Sequence, residues 1–595
     1  MHIEEGFQPV PFSNENAYLT DPVLPSLLKR ILPRNVLQEV EPDLERLGLE
    51  VVTTIRKLSD SHKVYPPKLV QYDQWGRRID DLQTSEGWRE LKAIAQREGL
   101  PGIFYERKYG AASRIYGFAK QLLLAGDTHV IFCPISMADG SARVIELYGS
   151  PAMRRDILPR LTSRDPNVAF TSGQWMTERP GGSDVSMTET TATSVGQNHE
   201  YGPQYSLNGV KWFSSATDCE LTVALARTGT VQEGSRGLSL FLIPLRLPFP
   251  TDPSKPLPVQ KMNQVFVHRL KNKIGTQIVP TAELTLEGSE AYLIGQLGKG
   301  VKSISPVLNI TRLWSAIGSV GNLRKGLSIA TSYAHVRSIK SGTQLLKDTS
   351  THVEQLASIN LLYRALVHLV FGVVCLLGKV ECGTATKEEE ARLRMLTPVA
   401  KAYAAEKACT ATEESMAALG GAGYMEENGF GRLIRDGLVE KIWEGTIVVL
   451  AHDLVRAVQD QSTVTAFVSW ANSIIDSGPT QMQTTLSFHI SLLRLALQEI
   501  STCYTPPIQP LVARPTLFLV GAVTASISLL EHAIWSSQSS EPSSKLDLEI
   551  FSRWVSEGGL GESIDAVKRA RTMDSATRIT SNSEIVFGSS PRSRL

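Results

Sequence analysis

Between about Val168 and Leu293 the chain leaves helical spacing for short apolar runs cut by Gly, Pro and Asn-Gly signals, with long helical patterns on either side. Runs such as Leu221–Ala226 and Leu238–Leu245 predict strands, and Asn208-Gly209 predicts a hairpin turn. Ala282, Leu284 and Leu286 alternate with polar neighbours, as in a half-buried strand. Before this segment, Tyr116 to Leu161 reads as helical, with Pro134 and Pro159 as punctuation. After it, Leu313, Ile317, Val320, Leu323 and Leu327 share one helical face. Leu356, Ile359, Leu362, Leu366, Leu369 and Val373 share another. A third long helix is expected from about Glu389 to Leu419, ended by Gly420-Gly421. Long helices with such faces pack as a bundle. Beyond about Asp460 the chain is helical again, broken at Pro506-Pro507 and in the Ser-rich stretch 536–544.

A chain of 595 residues exceeds a single core. The expected class is therefore multidomain α+β. It comprises a helical domain at 1–165, a middle β-barrel or sandwich domain at 166–297, a helical bundle at 298–460 and a helical extension with a flexible tail at 461–595. Lys and Arg total 61 against 60 Asp and Glu, so no global charge draws the chain to nucleic acid or an anionic membrane. In residues 461–595, ten Lys and Arg face eleven Asp and Glu, and only Lys568-Arg569-Ala570-Arg571 is locally basic, which argues against DNA as a partner. The six cysteines lack C-x-x-C spacing, so neither a disulfide framework nor a metal site is expected. The apolar stretch Leu361 to Val380 carries Arg364 and His368, which favours a core helix over a membrane span. The start of the chain is acidic and has no signal-peptide pattern. The final Ser593-Arg594-Leu595 differs from the S-K-L peroxisomal address by one charge-preserving change; the alternative location is cytoplasmic.

Four segments carry chemistry. In Met176–Val185 (MTERPGGSDV) a Gly pair and hydroxyls occur where the chain turns, a form that lets backbone approach a phosphate or a planar ring. Many Gly-Ser turns bind nothing, so this loop alone assigns no function. Asn208–Ser215 (NGVKWFSS) carries two aromatics and two hydroxyls, either a packed core strand or a wall for a planar ring. Leu419–Tyr424 (LGGAGY) reads by itself as a helix C-cap. Lys441–Thr446 (KIWEGT), after Arg435-Asp436, sets Glu444 beside an aromatic and a glycine, where burial raises a carboxyl toward general-base range.

Together, in this order, the four segments resemble the acyl-CoA dehydrogenase family over roughly residues 100 to 460. The first is similar to the family's T-E-x-x-x-G-S-D signature and the second to N-G-x-K-x-W-I-T. GGAGY and RDGLVEKIWEGT resemble its second signature, and Lys273–Gly300 resembles its middle-domain ending. The spelling is similar to that of the AidB-like adaptive-response branch, whose members carry an additional C-terminal helical domain.

The resemblance implies FAD as cofactor and α,β-dehydrogenation of an acyl-CoA. Glu444 takes the α proton and a hydride passes to the flavin. It implies cofactor contacts from Met176, Thr177, Gly182, Ser183, Phe213, Ser215 and Thr446, with Phe213 and Ser215 standing where most members have Trp and Thr. Ser183, Trp443 and Gly445 are implied on the substrate side. Arg337, Gly420 and Gly421 are implied at the FAD phosphates of a neighbouring subunit, hence a homodimer or homotetramer with FAD at the interface. The residues after Arg337, Ser-Ile-Lys-Ser-Gly, depart from the family's Arg-x-x-Phe-Gly. The electron acceptor is either electron-transfer flavoprotein or oxygen. The branch also includes a flavoprotein with a DNA-protective role, the rival to a metabolic one. The terminal tripeptide suits peroxisomal acyl-CoA metabolism, including supply of a precursor for a fungal secondary metabolite.

Overall fold

The structure, a computed structural model, describes residues 15–249 and 261–588. It comprises two compact units: residues up to Ile359 with Ala405–Glu444, and Asn360–Ala404 with the chain from Gly445 onward.

The first unit opens with helices Leu24–Ile31, Arg34–Glu50 and Glu86–Arg97, followed by Ala112–Leu124 and Phe132–Tyr148. Every residue of Ala112–Leu124 is buried, its polar ones included. This part is not purely helical, as the sequence suggested. Strands β1 (Lys68–Tyr72) and β2 (Arg78–Gln83) form a hairpin. Its tip is shaped by Asp73 Oδ1, which accepts from the N–H groups of Trp75 and Arg77 at 2.9 Å each. Polar side chains rather than an apolar face dock it on a neighbouring strand: Arg78 donates to Val267 O at 2.7 Å, and Asp80 accepts from Val267 N at 2.9 Å. Periodicity alone therefore missed it.

The strand-rich segment contains β3 (Ser172–Trp175), β4 (Thr191–His199), β5 (Gly202–Ser215), β6 (Leu221–Arg227) and β7 (Leu238–Pro244). The short pair β8 (Arg246–Leu247) and β9 (Lys261–Met262) follows, then β10 (Val265–Leu270) and β11 (Thr281–Ile294). Pairing runs β11 to β5, β5 to β4, β4 to β6, β6 to β7 and β7 back to β11, which closes a barrel; β10 flanks β11 and β3 runs parallel to β6. Leu221, Val223, Leu225, Leu240, Leu242 and Ile294 point into a core completed by Ile145, Met153, Ile304 and Val307 of flanking helices.

Asn208-Gly209 is not the expected turn; it lies inside the fourteen-residue β5. The turn into β5 is at Glu200-Tyr201, between the paired His199 and Gly202. Asn208 Oδ1 accepts from Gly288 N at 2.9 Å, at an irregularity in β11. A Cβ on Gly209 would stand 2.4 Å from Thr190 Oγ1. The Asn-Gly pair thus serves a close strand crossing and a bulge, both set by neighbours distant in sequence.

Helix Gly300–Val336 runs through the unit, with Leu313, Ile317, Val320, Leu323 and Leu327 buried as their spacing requires. Its buried cations are matched: Arg324 donates to Leu123 O at 2.9 Å, and Lys325 pairs with Asp127 at 2.7 Å. Helix Ser350–Glu381 buries Ile359, Leu366, Leu369 and Val373, while Leu356 and Leu362 are half-buried. Helix Lys387–Ala417 starts from a reciprocal cap between Thr386 and Glu389.

In the second unit, helix Ala513–Gln538 is central, with Ile447–Ala457, Gln461–Asp476, Ser487–Cys503, Ser544–Glu557 and Leu560–Thr572 around it. Among the described residues, two helices are long and apolar enough to cross a membrane, Ser350–Glu381 and Pro510–Gln538. Their apolar windows are 78% and 89% buried within the protein, as in core helices. The expected flexible tail is instead helical over Ser575–Phe587, capped by Asp574 and with no buried residue. Ser593-Arg594-Leu595 lies outside the described residues.

Candidate active site

The Met176–Val185 loop leaves β3 and is tethered from beneath by Glu178, a residue its spelling did not single out. Lys211 Nζ, on β5, donates to Glu178 Oε1 at 2.6 Å and to Leu225 O at 2.9 Å; the Lys211 side chain is 0% exposed. Glu178 Oε2 also accepts from the N–H of Glu189 at 2.6 Å and of Thr190 at 3.2 Å. Burial opposes charge on Glu178, but Lys211 and these donors outweigh it and hold the carboxyl below its usual range. Thr177 O accepts from Trp212 N at 3.0 Å, so loop and strand are joined at two points. Gly182 lies over Thr177, where a Cβ would come within 3.1 Å of the Thr177 methyl. Met176 packs against the barrel core, while Gly182 and Ser183 are exposed.

On β5, Phe213 and Ser215 are two apart and so share a face. Phe213 is 51% exposed, an aromatic ring open on one side, with Lys271 Nζ 4.6 Å from its centroid. Ser215 Oγ lies 3.0 Å from Thr281 Oγ1 and is a hydrogen-bond partner of the Cys133 thiol. An exposed ring, neighbouring hydroxyls and a Gly loop with accessible N–H groups match the needs of a flavin.

Glu444 ends the segment Val439–Glu444 and is half-buried, with a left-handed backbone at φ 56°. That region is costly for a side chain with a Cβ. The residue is held in place at two points. Thr311 Oγ1, on helix Gly300–Val336, lies 2.5 Å from Glu444 Oε2, and Arg312 Nε donates to Glu444 O at 3.3 Å. One turn further along that helix, Ser315 Oγ donates to Glu440 Oε2 at 2.5 Å, and the Trp443 indole N–H donates to the same oxygen at 2.5 Å. Trp443 is thus turned toward Glu440. Gly445, at φ 103°, offers its carbonyl to Lys401 Nζ at 2.7 Å. Thr446 caps helix Ile447–Ala457 through its hydroxyl, which accepts from Val449 N at 3.4 Å.

Behind the carboxylates, burial pushes the Cys133 thiol up to about 12, with the charges of Glu444 and Glu440 adding to the effect and Lys273 opposing it. Burial pushes Lys273 down to about 8; its ammonium donates to Val279 O at 2.6 Å and to Thr281 Oγ1 at 2.9 Å. The loop carrying Lys273 is pinned at its next residues. Asp436 Oδ1 accepts from Thr276 N at 2.6 Å, and a Cβ on Gly275 would fall 2.1 Å from Arg435 O. The Arg435-Asp436 pair and the Lys273–Gly275 segment, distant in sequence, therefore meet.

Arg337 is exposed at the end of its helix. The apolar cluster of Ala330, Tyr333, Ala418 and Leu419 brings Gly420 and Gly421 to the same end. Gly420 has φ 61°, and both glycines face open space, where backbone can approach a phosphate. Thr311, Glu440, Glu178 and Lys211 were not found from sequence. The available signal was a run of hydroxyls, Thr311, Ser315 and Ser319, spaced one turn apart within a buried helix.

Three family models match successive parts of the chain. Residues 7–167 match the adaptive response protein AidB N-terminal domain, 173–289 the acyl-CoA dehydrogenase middle domain and 298–459 the acyl-CoA dehydrogenase C-terminal domain. Acyl-CoA dehydrogenase family member 11 of Caenorhabditis elegans is 34% identical over 93% of this chain and 89% of its own length. The putative acyl-CoA dehydrogenase AidB of Escherichia coli is 28% identical over 78% of this chain and 82% of its own. Caenorhabditis elegans ACDH-11 in complex with C11-CoA superposes with a TM-score of 0.88 at 33% identity, covering 99% of this chain and 98% of that one.

Proposed function

The chain belongs to the acyl-CoA dehydrogenase family, in its AidB-like branch, and from that premise we propose that Glu444 is the base that takes the α proton of an acyl-CoA thioester. The family is FAD-dependent, and FAD, when bound, supplies the acceptor for the β hydride. The observation that carries the assignment is Glu444 itself, its carboxyl held by Thr311 and its main-chain carbonyl by Arg312 on a strained left-handed backbone. Loss of the α proton to the carboxylate, together with loss of the β hydride to the acceptor that FAD would supply, would leave a carbon–carbon double bond. Half-burial of Glu444 limits its competition with water for that proton. Phe213 supplies an apolar wall and Ser215, Thr177 and Ser183 supply hydroxyls for the flavin. Met176 shapes the loop from the core side, and Gly182 lets the loop come close. Trp443, oriented by Glu440, and Gly445 stand next to the base in sequence, on the substrate side of this reading. Arg337, Gly420 and Gly421 suit the FAD phosphates, and their exposure supports completion by a second copy of the chain in a homodimer or homotetramer.

The C11-CoA held by the worm relative supports a fatty-acyl thioester of medium length as substrate. Ser593-Arg594-Leu595 supports a peroxisomal location, in acyl-CoA metabolism or supply of a secondary-metabolite precursor, with oxygen as the acceptor in place of electron-transfer flavoprotein. The near-balanced charge of residues 461–595 gives no support to DNA as a partner.

Anaerobic titration of the FAD-loaded protein with straight-chain acyl-CoAs tests this reading. Bleaching of the flavin band by the wild type, reduced at least a hundredfold in Glu444→Gln, is expected. Undiminished bleaching in Glu444→Gln would remove the base assignment. Hydrogen peroxide formed on admitting air would identify oxygen as the acceptor.

A further inference from the structure

We infer that Thr311 is the positioning residue of Glu444, holding its carboxyl before and after the proton is taken. This inference rests on the reading of Glu444 as the base. Thr311 Oγ1 lies 2.5 Å from Glu444 Oε2 and 3.0 Å from Val307 O, one turn back on the same helix. The hydroxyl has one hydrogen and two acceptor lone pairs, so it has two complementary arrangements. Toward the ionised carboxylate it donates its hydrogen to Oε2. Once the carboxyl is protonated at Oε2, it accepts from the acid and turns its own hydrogen to Val307 O. The same atom at the same distance thus serves both charge states through which a general base must pass, without movement of the helix.

The surroundings make this contact matter. Glu444 sits at φ 56°, a conformation that relaxes unless neighbours over-determine it. Arg312 holds its carbonyl, so Thr311 and Arg312, consecutive on one helix, fix the side-chain and backbone ends of one residue. Ser315 repeats the arrangement at Glu440, so the segment before the base is fastened to the helix at two successive turns. Thr311 is 2% exposed, and no bulk water needs to displace it. Titratable and charged groups near the site include Arg312 on the same helix and Glu440 on the base's own segment. Cys133 lies on helix Phe132–Tyr148, with Lys273 across it on the loop after β10.

Thr311→Val keeps the shape and removes the hydroxyl; Thr311→Ser keeps the hydroxyl. The experiment is stopped-flow anaerobic reduction of the FAD-loaded full chain by the acyl-CoA that best bleaches the wild type, followed from pH 5 to 9. In Thr311→Val the limiting rate should fall about ten- to a hundredfold, the worth of a hydrogen bond to a charged group. The acid limb should move to higher pH, since the lost donor favoured the charged form. The acyl-CoA concentration giving half the rate should stay within about threefold, a margin that separates rate from binding. Thr311→Ser should restore both rate and pH limb. A Thr311→Val protein with the wild-type rate and pH limb overturns the inference, as does a Thr311→Ser protein as slow as Thr311→Val. If Thr311→Val does not retain FAD, Thr311→Ala and Thr311→Ser are compared in its place with the same outcomes. A wild type that no acyl-CoA bleaches removes the base assignment itself, and is told apart because it fails before any Thr311 variant is compared.

Discussion

Glu178, in the loop proposed to face the flavin, and Lys211, on β5 beneath it, form one of the most enclosed ion pairs among the described residues. Taking two charges out of water is costly, and the pair persists because each partner is also hydrogen-bonded: Lys211 to Leu225 O, Glu178 to two backbone N–H groups. Removing one partner leaves the other charge buried. Lys211→Met should therefore destabilise the protein by about 3 kcal/mol or more, seen as a lower denaturant midpoint. The double variant Lys211→Met, Glu178→Leu should recover most of that loss. A single variant as stable as the wild type would show that the pair is dispensable for the fold. Glu178 and Lys211 stand in the sequence as ordinary charged residues on a turn and a strand. Their meeting depends on β5 passing beneath the loop.

The loop between β10 and β11 illustrates how one element is aimed by another. Gly275 lies so close to helix Phe430–Leu438 that a Cβ would come within 2.1 Å of Arg435 O, and Asp436 accepts from Thr276 N. Backbone cannot yield as a flexible side chain can, so Gly275→Ala should force loop and helix apart. The expected cost is about 1–3 kcal/mol, read by thermal melting, together with slower flavin reduction as Lys273 and Thr281 shift beside Ser215. An alanine variant that melts and reacts like the wild type would mean that the loop adjusts freely. The long helices behave more simply. Gly300–Val336 was visible in its spacing because one apolar face repeats over several turns. The β1–β2 hairpin was not visible, because hydrogen bonds to Val267 rather than an apolar face hold it.

At the scale of the whole molecule, the proposed peroxisomal location rests on three residues outside the described structure, Ser593-Arg594-Leu595. They follow helix Ser575–Phe587, which buries none of its residues. With a fluorescent protein fused to the N-terminus, the full chain should collect in peroxisomes, and deletion of the last three residues should leave it in the cytosol. Identical distributions would remove the peroxisomal proposal while leaving the proposed chemistry intact. The second unit has an evident physical basis for stability, since helix Ala513–Gln538 buries nearly its whole length among its neighbours.

The sequence by itself determined the order of helical and strand-rich segments, the family signatures and the residue proposed as the base. Periodicity and short motifs are local properties, and each can be read within a dozen residues. Only the tertiary structure decided that Asn208-Gly209 lies within a strand, that β1 and β2 pair, and that Thr311, Arg312, Glu440 and Lys211 serve the site. Apart from the local β1–β2 pairing, whose docking on Val267 is the distant contact, each of these depends on a partner far along the chain, from about 30 residues away upward. A hydroxyl or an ammonium acquires its role from the oxygen it meets, and folding alone brings that oxygen within reach.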